Sequence, residues 1–282
     1  MKKLKGFLSL IRFELPLAAG ICVILGQLFA LGNFAPFDLT IAASLSVFFI
    51  SASILVLNDF FDLETDKINA PYRPIPSNLV SPAEALFLSI FLLIAGLVLS
   101  YLISVNALLI SIGLTVIGFL YNRKFKKHGL LGNLLVSFSV GMTFVFGGLS
   151  VGLPFNKIVI FFAVIAALVD LGEEIAADSM DVKGDLLIDS NSIAIKHGKN
   201  TAIKISSFIF LFVILLSMVP FFLKWFPTIY LIPITIMDCA IGYSTLRLLK
   251  SKGEEGRKYI RLLYLGATFG LVIFLIMRLI GL

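Results

Sequence analysis

Residues 41–66, IAASLSVFFISASILVLNDFFDLETD, join a long apolar run directly to a group of acidic side chains. The run from 41 to 57 contains no charged residue, and with its apolar neighbours it is long enough to cross a bilayer as a helix. Asp59, Asp62, Glu64 and Asp66 follow at once. Because a carboxylate is costly beside hydrocarbon, this placement predicts that the acidic group has a function at the membrane edge.

The composition of the chain is typical of a membrane protein. It has 282 residues, of which 59% are hydrophobic and only 14% are charged, whereas a soluble domain carries about a quarter charged residues. Cys22 and Cys239 lie far apart in apolar runs, so neither a disulfide framework nor a zinc knuckle is indicated. The chain is therefore expected to be a polytopic membrane protein.

Nine apolar runs have the length of a membrane span. They are too long and too uniformly apolar for the strands of a barrel. We expect an all-α bundle of about nine transmembrane helices around a central cavity with a polar mouth, forming a single domain over residues 1–282. The predicted spans are 15–32, 39–57, 83–104, 106–121, 130–151, 156–172, 203–223, 226–246 and 260–281.

The basic residues predict the orientation. With a cytoplasmic N-terminus, 20 of the 23 Lys and Arg residues fall in inside segments, as the positive-inside rule requires. The net charge of +6 is thus explained by topology and contact with anionic lipids rather than by nucleic acid. In residues 1–14, apolar side chains recur at helical spacing between lysines, which predicts an amphipathic helix on the membrane surface. We expect a multi-pass protein of the cell membrane whose acidic loops face the cytoplasm.

The acidic residues form two clusters, after the second and the sixth predicted spans. Within each cluster the spacing places the polar side chains on one helical face, one turn apart. Like charges at that spacing repel unless a cation neutralises them, and oxygen ligands without Cys or clustered His suit Mg²⁺. Two such rows facing each other would bind Mg²⁺ around a diphosphate. The predicted metal ligands are Asn58, Asp59, Asp62, Asp66, Asp178, Asp181 and Asp185.

Basic residues near these clusters are candidates for binding the phosphates. Arg73 lies between prolines in APYRPIPS, which stiffen its loop, and its guanidinium can bind a phosphate through two hydrogen bonds. A second basic group follows the fourth span in YNRKFKKHG. The predicted substrate-binding residues are therefore Asn58, Arg73, Tyr121, Lys124, Lys126 and Lys127.

The pair of motifs resembles the two signatures of the UbiA-type intramembrane prenyltransferases. The first is Asn58-Asp59-x-x-Asp62-x-x-x-Asp66, followed by Arg73 between prolines, and the second runs from Asp178 through Asp181 and Gly184 to Asp185. The segment KINAPYRPIPS and the Gly132-Asn133 pair look most like the archaeal digeranylgeranylglyceryl phosphate synthase branch, which adds Asn133 to the substrate-binding candidates. The chain departs from the pattern at Glu173 and Ala177, where relatives commonly carry basic residues.

The resemblance implies a Mg²⁺-dependent alkyl transfer. Asp62, Asp66, Asp181 and Asp185 would act as the catalytic metal-binding residues around a prenyl diphosphate donor, with a geranylgeranyl group as the implied donor chain. The acceptor would be the hydroxyl of geranylgeranylglyceryl phosphate or, alternatively, an aromatic ring such as 4-hydroxybenzoate. Two other classes agree less well with the sequence. A CDP-alcohol phosphotransferase has a motif that does not match because Leu63 follows Asp62, and a cation transporter would place its acids within the spans.

Overall fold

The computed structural model describes residues 2–251 and 255–281, so Met1, at the start of the predicted surface helix, lies outside the described residues. Every regular element in the described ranges is helical, which confirms the all-α fold. Short 3₁₀ or π segments occupy Tyr121–Phe125, Lys126–His128, Leu186–Ile188 and Thr228–Tyr230. The α-helices are α1 (Lys2–Ile11), α2 (Glu14–Leu31), α3 (Phe37–Phe61), α4 (Leu63–Asn69), α5 (Pro82–Ile103), α6 (Val105–Leu120), α7 (Leu130–Ser150), α8 (Lys157–Asp185), α9 (Ile193–His197), α10 (Lys199–Ser217), α11 (Val219–Phe222), α12 (Leu231–Lys250) and α13 (Gly256–Leu279).

Eight helices of the described ranges are long and apolar enough to cross a membrane. They coincide with eight of the nine predicted spans, and the third and fourth are separate helices on either side of Ser104. The remaining predicted span, 156–172, forms the first part of α8. The whole of α8 is 29 residues long, and its last part contains the second acidic cluster. Its length suits a membrane span, but its acidic residues lower its mean hydropathy.

The chain divides into two compact units. The first unit contains Met1–Ala163 with Lys183–Ser190, and the second contains Val164–Val182 with Asn191–Leu282. The first acidic cluster lies wholly in the first unit, together with Asp185. Asp178 and Asp181 belong to the second unit.

Hydrogen bonds between serines join α3 to α5 in the first unit. The Ser53 hydroxyl donates to the carbonyl of Ser89 at 2.8 Å, and the two hydroxyl oxygens are 3.0 Å apart. Two turns earlier in α3, the Ser46 and Ser100 hydroxyl oxygens are 2.6 Å apart. All four serines are buried, so each pair satisfies polar groups that neither lipid nor the apolar core could satisfy.

The N-terminal helix α1 is attached to the first unit more closely than a surface helix would be. Leu4 and Leu8 are exposed, as expected for contact with lipid, but Leu10 is fully buried in a core cluster of α3, α5 and the segment between them. Lys3 forms an ion pair with Glu84 at the start of α5. The helix ends at Ile11, three residues before the end of the predicted segment 1–14.

The second unit is built around its own core. The later part of α8 packs there with α10, α12 and α13 through buried apolar side chains. Ser206 of α10 donates a hydrogen bond of 2.6 Å to the carbonyl of Gly172 in α8. One core cluster of this unit consists of Ala176, Met180, Ile203, Leu248 and Ile260.

Candidate active site

The first acidic cluster begins where α3 ends. The interpretation of the first motif as side chains on one helical face assumes that the second helix continues past Leu57, but α3 stops at Phe61 and a new helix, α4, begins at Leu63. The backbone nevertheless keeps the one-turn spacing, because the Asp62 N–H donates to the Asn58 carbonyl at 2.9 Å and the Asp66 N–H donates to the Asp62 carbonyl at 2.7 Å. The predicted row of polar side chains therefore forms across a helix junction.

Asp62 is paired with a lysine of the basic loop. It is 6% exposed, and the Lys126 ammonium donates to its Oδ2 atom. Lys124 and Lys127 are exposed, and Lys124 instead lies over the ring of Phe125, 5.8 Å from its centroid. Of the three lysines predicted to bind phosphate, Lys126 is the one that this structure pairs with a carboxylate of the first motif.

Arg73 joins two other carboxylates of the cluster. Its Nη1 atom donates to both carboxylate oxygens of Asp66, at 2.7 and 2.6 Å, and lies 3.4 Å from Oδ1 of Asp59. The same Oδ1 accepts a hydrogen bond from Arg12. Asp59 and Asp66 are 1% and 4% exposed, so these guanidinium groups balance carboxylates that water does not reach.

Burial and the neighbouring charges shift the pKa values of Asp66 and Arg73. Burial raises the pKa of Asp66, although Arg73 opposes the shift and nearby Asp62 and Asp59 add to it. Burial would lower the pKa of Arg73, but the charges of Asp59 and Asp66 outweigh it, so that this pKa is raised. Arg73 therefore remains a cation, and the negative charge on Asp66 is still only partly offset.

Asn58 makes a contact that the sequence did not reveal. Its Nδ2 atom donates to Oδ1 of Asn122 at 2.8 Å, and Asn122 in turn donates to the carbonyl of Ile54 at 3.4 Å. Asn122 is buried in the π-helical turn that Tyr121 begins. Sequence reasoning treated this segment as a basic loop, and a single buried amide within it left no recognisable pattern.

Tyr121 and Asn133, the other predicted substrate-binding residues near this loop, belong to its two flanks. Tyr121 lies at the junction of α6 and the π-helical turn, and its ring lies beside Gly132. Asn133 is 3% exposed in the first turn of α7, and its carbonyl accepts a hydrogen bond of 2.7 Å from Ser137. Their binding role stays a prediction.

The last turn of α8 belongs to the first unit and contacts the first motif. The Gly184 N–H donates to Oδ1 of Asn69 at 3.0 Å, and a Cβ atom at position 184 would lie 2.3 Å from Nδ2 of the same asparagine. A side chain at position 184 would therefore force the Asn69 side chain to move. Asp185 is 8% exposed, and its charge acts on Lys126, as does that of Asp66.

In the second unit, the second motif has a cationic partner of its own. Arg257, in the first turn of α13, donates to Oδ1 of Asp181 at 2.6 Å and to the carbonyl of Met180 at 3.0 Å. The Asp181 side chain is 31% exposed, and Asp178 is also partly exposed. Arg257 thus brings a cation to α8 from a position 76 residues away from Asp181 in sequence.

The donor set of the first motif suits a hard cation such as Mg²⁺, which prefers carboxylate oxygens and water. Residues 2–251 and 255–281 show no group of three His, Cys, Asp or Glu side chains arranged to hold a metal ion, and cationic side chains contact Asp59, Asp62 and Asp66. The residues fit the metal, and the ligand set stays a prediction.

Comparison with known proteins places these motifs in a family context. The model of the UbiA prenyltransferase family matches residues 19–279. The digeranylgeranylglyceryl phosphate synthase of Methanocaldococcus jannaschii is 36% identical over 260 residues, which cover 90% of this chain and 89% of that one. The enzyme of the same name from Saccharolobus solfataricus is 33% identical over 277 residues, covering 97% and 96% of the two chains.

Solved structures show the same fold. A digeranylgeranylglyceryl phosphate synthase structure is 33% identical, with a TM-score of 0.67 over 96% of this chain and 99% of that one. A UbiA homologue from Aeropyrum pernix has a TM-score of 0.82 at 16% identity, covering 95% and 98%. A homologue from Archaeoglobus fulgidus, bound to GPP and Mg²⁺, has a TM-score of 0.68 at 18% identity, covering 95% and 97%.

Proposed function

We propose, from the premise that this chain belongs to the UbiA prenyltransferase family, that it transfers a geranylgeranyl group from geranylgeranyl diphosphate to geranylgeranylglyceryl phosphate. The observation that supports this proposal is the similarity, along nearly the whole chain, to several enzymes named digeranylgeranylglyceryl phosphate synthase. The predicted family and the predicted enzyme class are confirmed by the same matches. The donor, the acceptor and the metal are the parts proposed.

The reaction is an alkyl transfer. The bond between C1 of the prenyl chain and the diphosphate oxygen breaks, and the diphosphate leaves with the electron pair. The acceptor hydroxyl oxygen forms the new bond to C1 and loses its proton. Mg²⁺ would supply Lewis-acid stabilisation of the leaving diphosphate, and we propose Asp62, Asp66, Asp181 and Asp185 as its principal ligands, with Asn58, Asp59 and Asp178 as the remaining candidates.

The cations of the first motif would bind the phosphates. Arg73 is already oriented by Asp66 and Asp59, and Lys126 by Asp62. Because these donors are fixed before the reaction, they need little reorganisation when charge develops on the leaving group. Their side chains remain 28% and 27% exposed although their carboxylate partners are buried, so each keeps a surface that a ligand could contact.

The remaining candidates fit roles at the edge of the site. Lys124 and Lys127 are exposed and would attract the phosphate of either substrate from the membrane surface. Tyr121 and Asn133 flank the same loop and are proposed to contact substrate. The strong bias of basic residues to one side supports a cytoplasmic site in the cell membrane.

An acceptor assay tests the proposal. Purified protein would be incubated with Mg²⁺ and radiolabelled geranylgeranyl diphosphate, with geranylgeranylglyceryl phosphate or 4-hydroxybenzoate in parallel. Label should appear in the ether lipid, and EDTA should abolish the transfer. Transfer to the aromatic ring alone would overturn the proposed acceptor, and turnover unaffected by EDTA would overturn the proposed metal.

A matched pair of variants separates the site from the fold. Asp62→Ala removes a proposed ligand at the acidic end of α3, whereas Asp38→Ala removes an exposed carboxylate from the other end of the same helix. Activity should be lost in the first variant and retained in the second. Equal activity in both would contradict the assignment of Asp62.

A further inference from the structure

We infer that Arg12 is a positioning residue that holds Arg73 in place through Asp59. The inference rests on the proposed function, because it gives Arg73 the task of binding the diphosphate. Arg12 lies between α1 and α2, 47 residues before Asp59 in sequence. It lies within the predicted amphipathic surface helix of residues 1–14, but in the structure it contacts a buried carboxylate.

The four side chains form one alternating series of charges. Arg12 donates to Oδ1 of Asp59, Arg73 lies 3.4 Å from that same oxygen, and Arg73 donates to Asp66 at 2.6 and 2.7 Å. Arg73 thus holds Asp66 tightly and Asp59 loosely. Arg73 can bind Asp66 more closely than Asp59 because Arg12 already donates a hydrogen bond to Asp59.

The packing of α1 against the first unit holds Arg12 in this position. Leu10 is fully buried against Ile75 and Val80 in the segment that carries Arg73. A Cβ atom at Gly6 would lie 2.8 Å from Cγ2 of Val80, so α1 lies as close to this segment as a glycine permits.

The backbone of Arg12 supports the same conclusion. Its φ angle is +48°, in the left-handed region that residues with a side chain rarely adopt. That conformation ends α1 at Ile11 and allows the chain to turn into α2 at Glu14. Such a conformation is retained when surrounding contacts compensate for its cost, and the ion pair with Asp59 is one such contact.

Loss of Arg12 would change the position of Arg73 in a predictable direction. Asp59 is 1% exposed and would be left with Arg73 as its cation in this series. A buried carboxylate without a partner is costly, so Arg73 would move towards Asp59 and away from Asp66. The guanidinium would then be withdrawn from the diphosphate.

Steady-state kinetics test this inference. Arg12→Gln should raise KM for geranylgeranyl diphosphate about tenfold, the effect of one charge-assisted hydrogen bond, with a smaller change in KM for the acceptor. Arg12→Lys keeps a positive charge beside Asp59 and should hold KM near the wild-type value, because Arg73 is then not drawn away from Asp66. Lys5→Gln, an exposed change in α1, should leave KM unchanged. An Arg12→Gln variant with the wild-type KM, or an Arg12→Lys variant that loses as much as Arg12→Gln, would overturn the inference.

Binding provides a readout that does not depend on turnover. Calorimetry with inorganic diphosphate and Mg²⁺ should show weaker binding to Arg12→Gln than to wild type. Arg12→Lys, which keeps the charge, should bind nearly as well as wild type and serves if Arg12→Gln does not fold. Equal diphosphate affinity in wild type and Arg12→Gln, or a folded Arg12→Lys protein that binds diphosphate more than about tenfold more weakly than wild type, would overturn the inference.

The two proposals can fail separately. If wild type transfers the prenyl group but Arg12→Gln matches it in KM and in diphosphate binding, the positioning role is wrong and the function stands. If wild type binds diphosphate in an Arg12-dependent manner but transfers nothing to any acceptor, the proposed reaction is wrong and the positioning role stands.

Discussion

The two acidic motifs resemble each other in sequence but differ in their surroundings. In the first motif, Asp59, Asp62 and Asp66 are 1%, 6% and 4% exposed, and cations reach them from three separate segments of the chain. In the second, the Asp181 side chain is 31% exposed and its ion pair with Arg257 is 34% exposed on the arginine side. The three aspartates of the first motif are buried, whereas Asp178 and Asp181 of the second are partly exposed and only its last aspartate, Asp185, is buried.

This difference in exposure determines what stabilises the negative charge of each motif. A buried carboxylate requires a fixed cation, and removing that cation leaves a large desolvation cost. An exposed carboxylate is stabilised by water and gains little from its partner. We therefore expect the first motif to depend on its cations for stability, and the second to depend on its cation for function more than for folding.

The strongest test of this contrast is Lys126→Met. It leaves the buried Asp62 without its ion-pair partner and should lower the free energy of unfolding by about 3–5 kcal/mol. Lys127→Met, an exposed change one residue away, should alter stability by less than about 0.5 kcal/mol. Thermal unfolding in detergent measures both, and similar melting temperatures for the two variants would contradict the role of the buried pair.

Loss of a carboxylate from either motif should affect turnover in the same way. Asp62→Asn and Asp181→Asn should each reduce kcat/KM by about a thousandfold, since a metal contributes several kcal/mol to stabilising a leaving group. Radiolabel transfer measures this effect. Should Asp181→Asn retain most of its activity, the more open motif would not belong to the catalytic machinery.

Gly184→Ala tests the contact between the end of α8 and Asn69. The added Cβ would lie 2.3 Å from the asparagine side chain, so we expect a loss of stability of about 1–3 kcal/mol from overpacking. Gly113→Ala, where nothing lies within 4 Å, is the matched control and should be neutral or slightly stabilising. If both variants melt at the wild-type temperature, the close approach is not maintained.

The smallest effect is expected for Arg257→Gln. Because both partners are about one-third exposed, the pair should contribute less than about 1 kcal/mol to stability. The Mg²⁺ concentration for half-maximal activity should nevertheless change, since Arg257 contacts a proposed ligand. Lys258→Gln, its exposed neighbour, is the control for both measurements. A loss of stability as large as that of Lys126→Met would remove the distinction between the motifs.

The fold was largely predictable because hydrophobic length is a strong signal in membrane proteins. The predicted span 83–104 matches helix Pro82–Ile103, and the predicted span 130–151 matches Leu130–Ser150. The one-turn spacing of the first motif is present in the backbone, whereas the helix break at Asp62 was not predicted. Asp62 ends α3 and begins α4. Because the backbone hydrogen bonds continue through it, the spacing of the polar residues is unchanged, and the sequence pattern does not reveal the break.

The partners of the carboxylates were less predictable. Nothing in the sequence distinguishes Lys126 from Lys124 or Lys127, since the loop has cations on several faces and tertiary packing decides which one turns inward. Arg12 and Arg257 lie 47 and 76 residues from their partners. Contacts over such separations follow from helix packing, which hydropathy and local spacing do not describe.

The serine pairs between α3 and α5 have a consequence for membrane depth. Slipping α3 by one turn would move it about 5.4 Å along its axis and draw Asp59 towards the hydrocarbon. Apolar contacts alone would tolerate such a shift, because one leucine or isoleucine neighbour can replace another. The hydroxyls of Ser46 and Ser53 would lose their partners in either direction. The two serine pairs therefore fix the position of α3 along its axis, and with it the depth at which the acidic end of α3 leaves the bilayer.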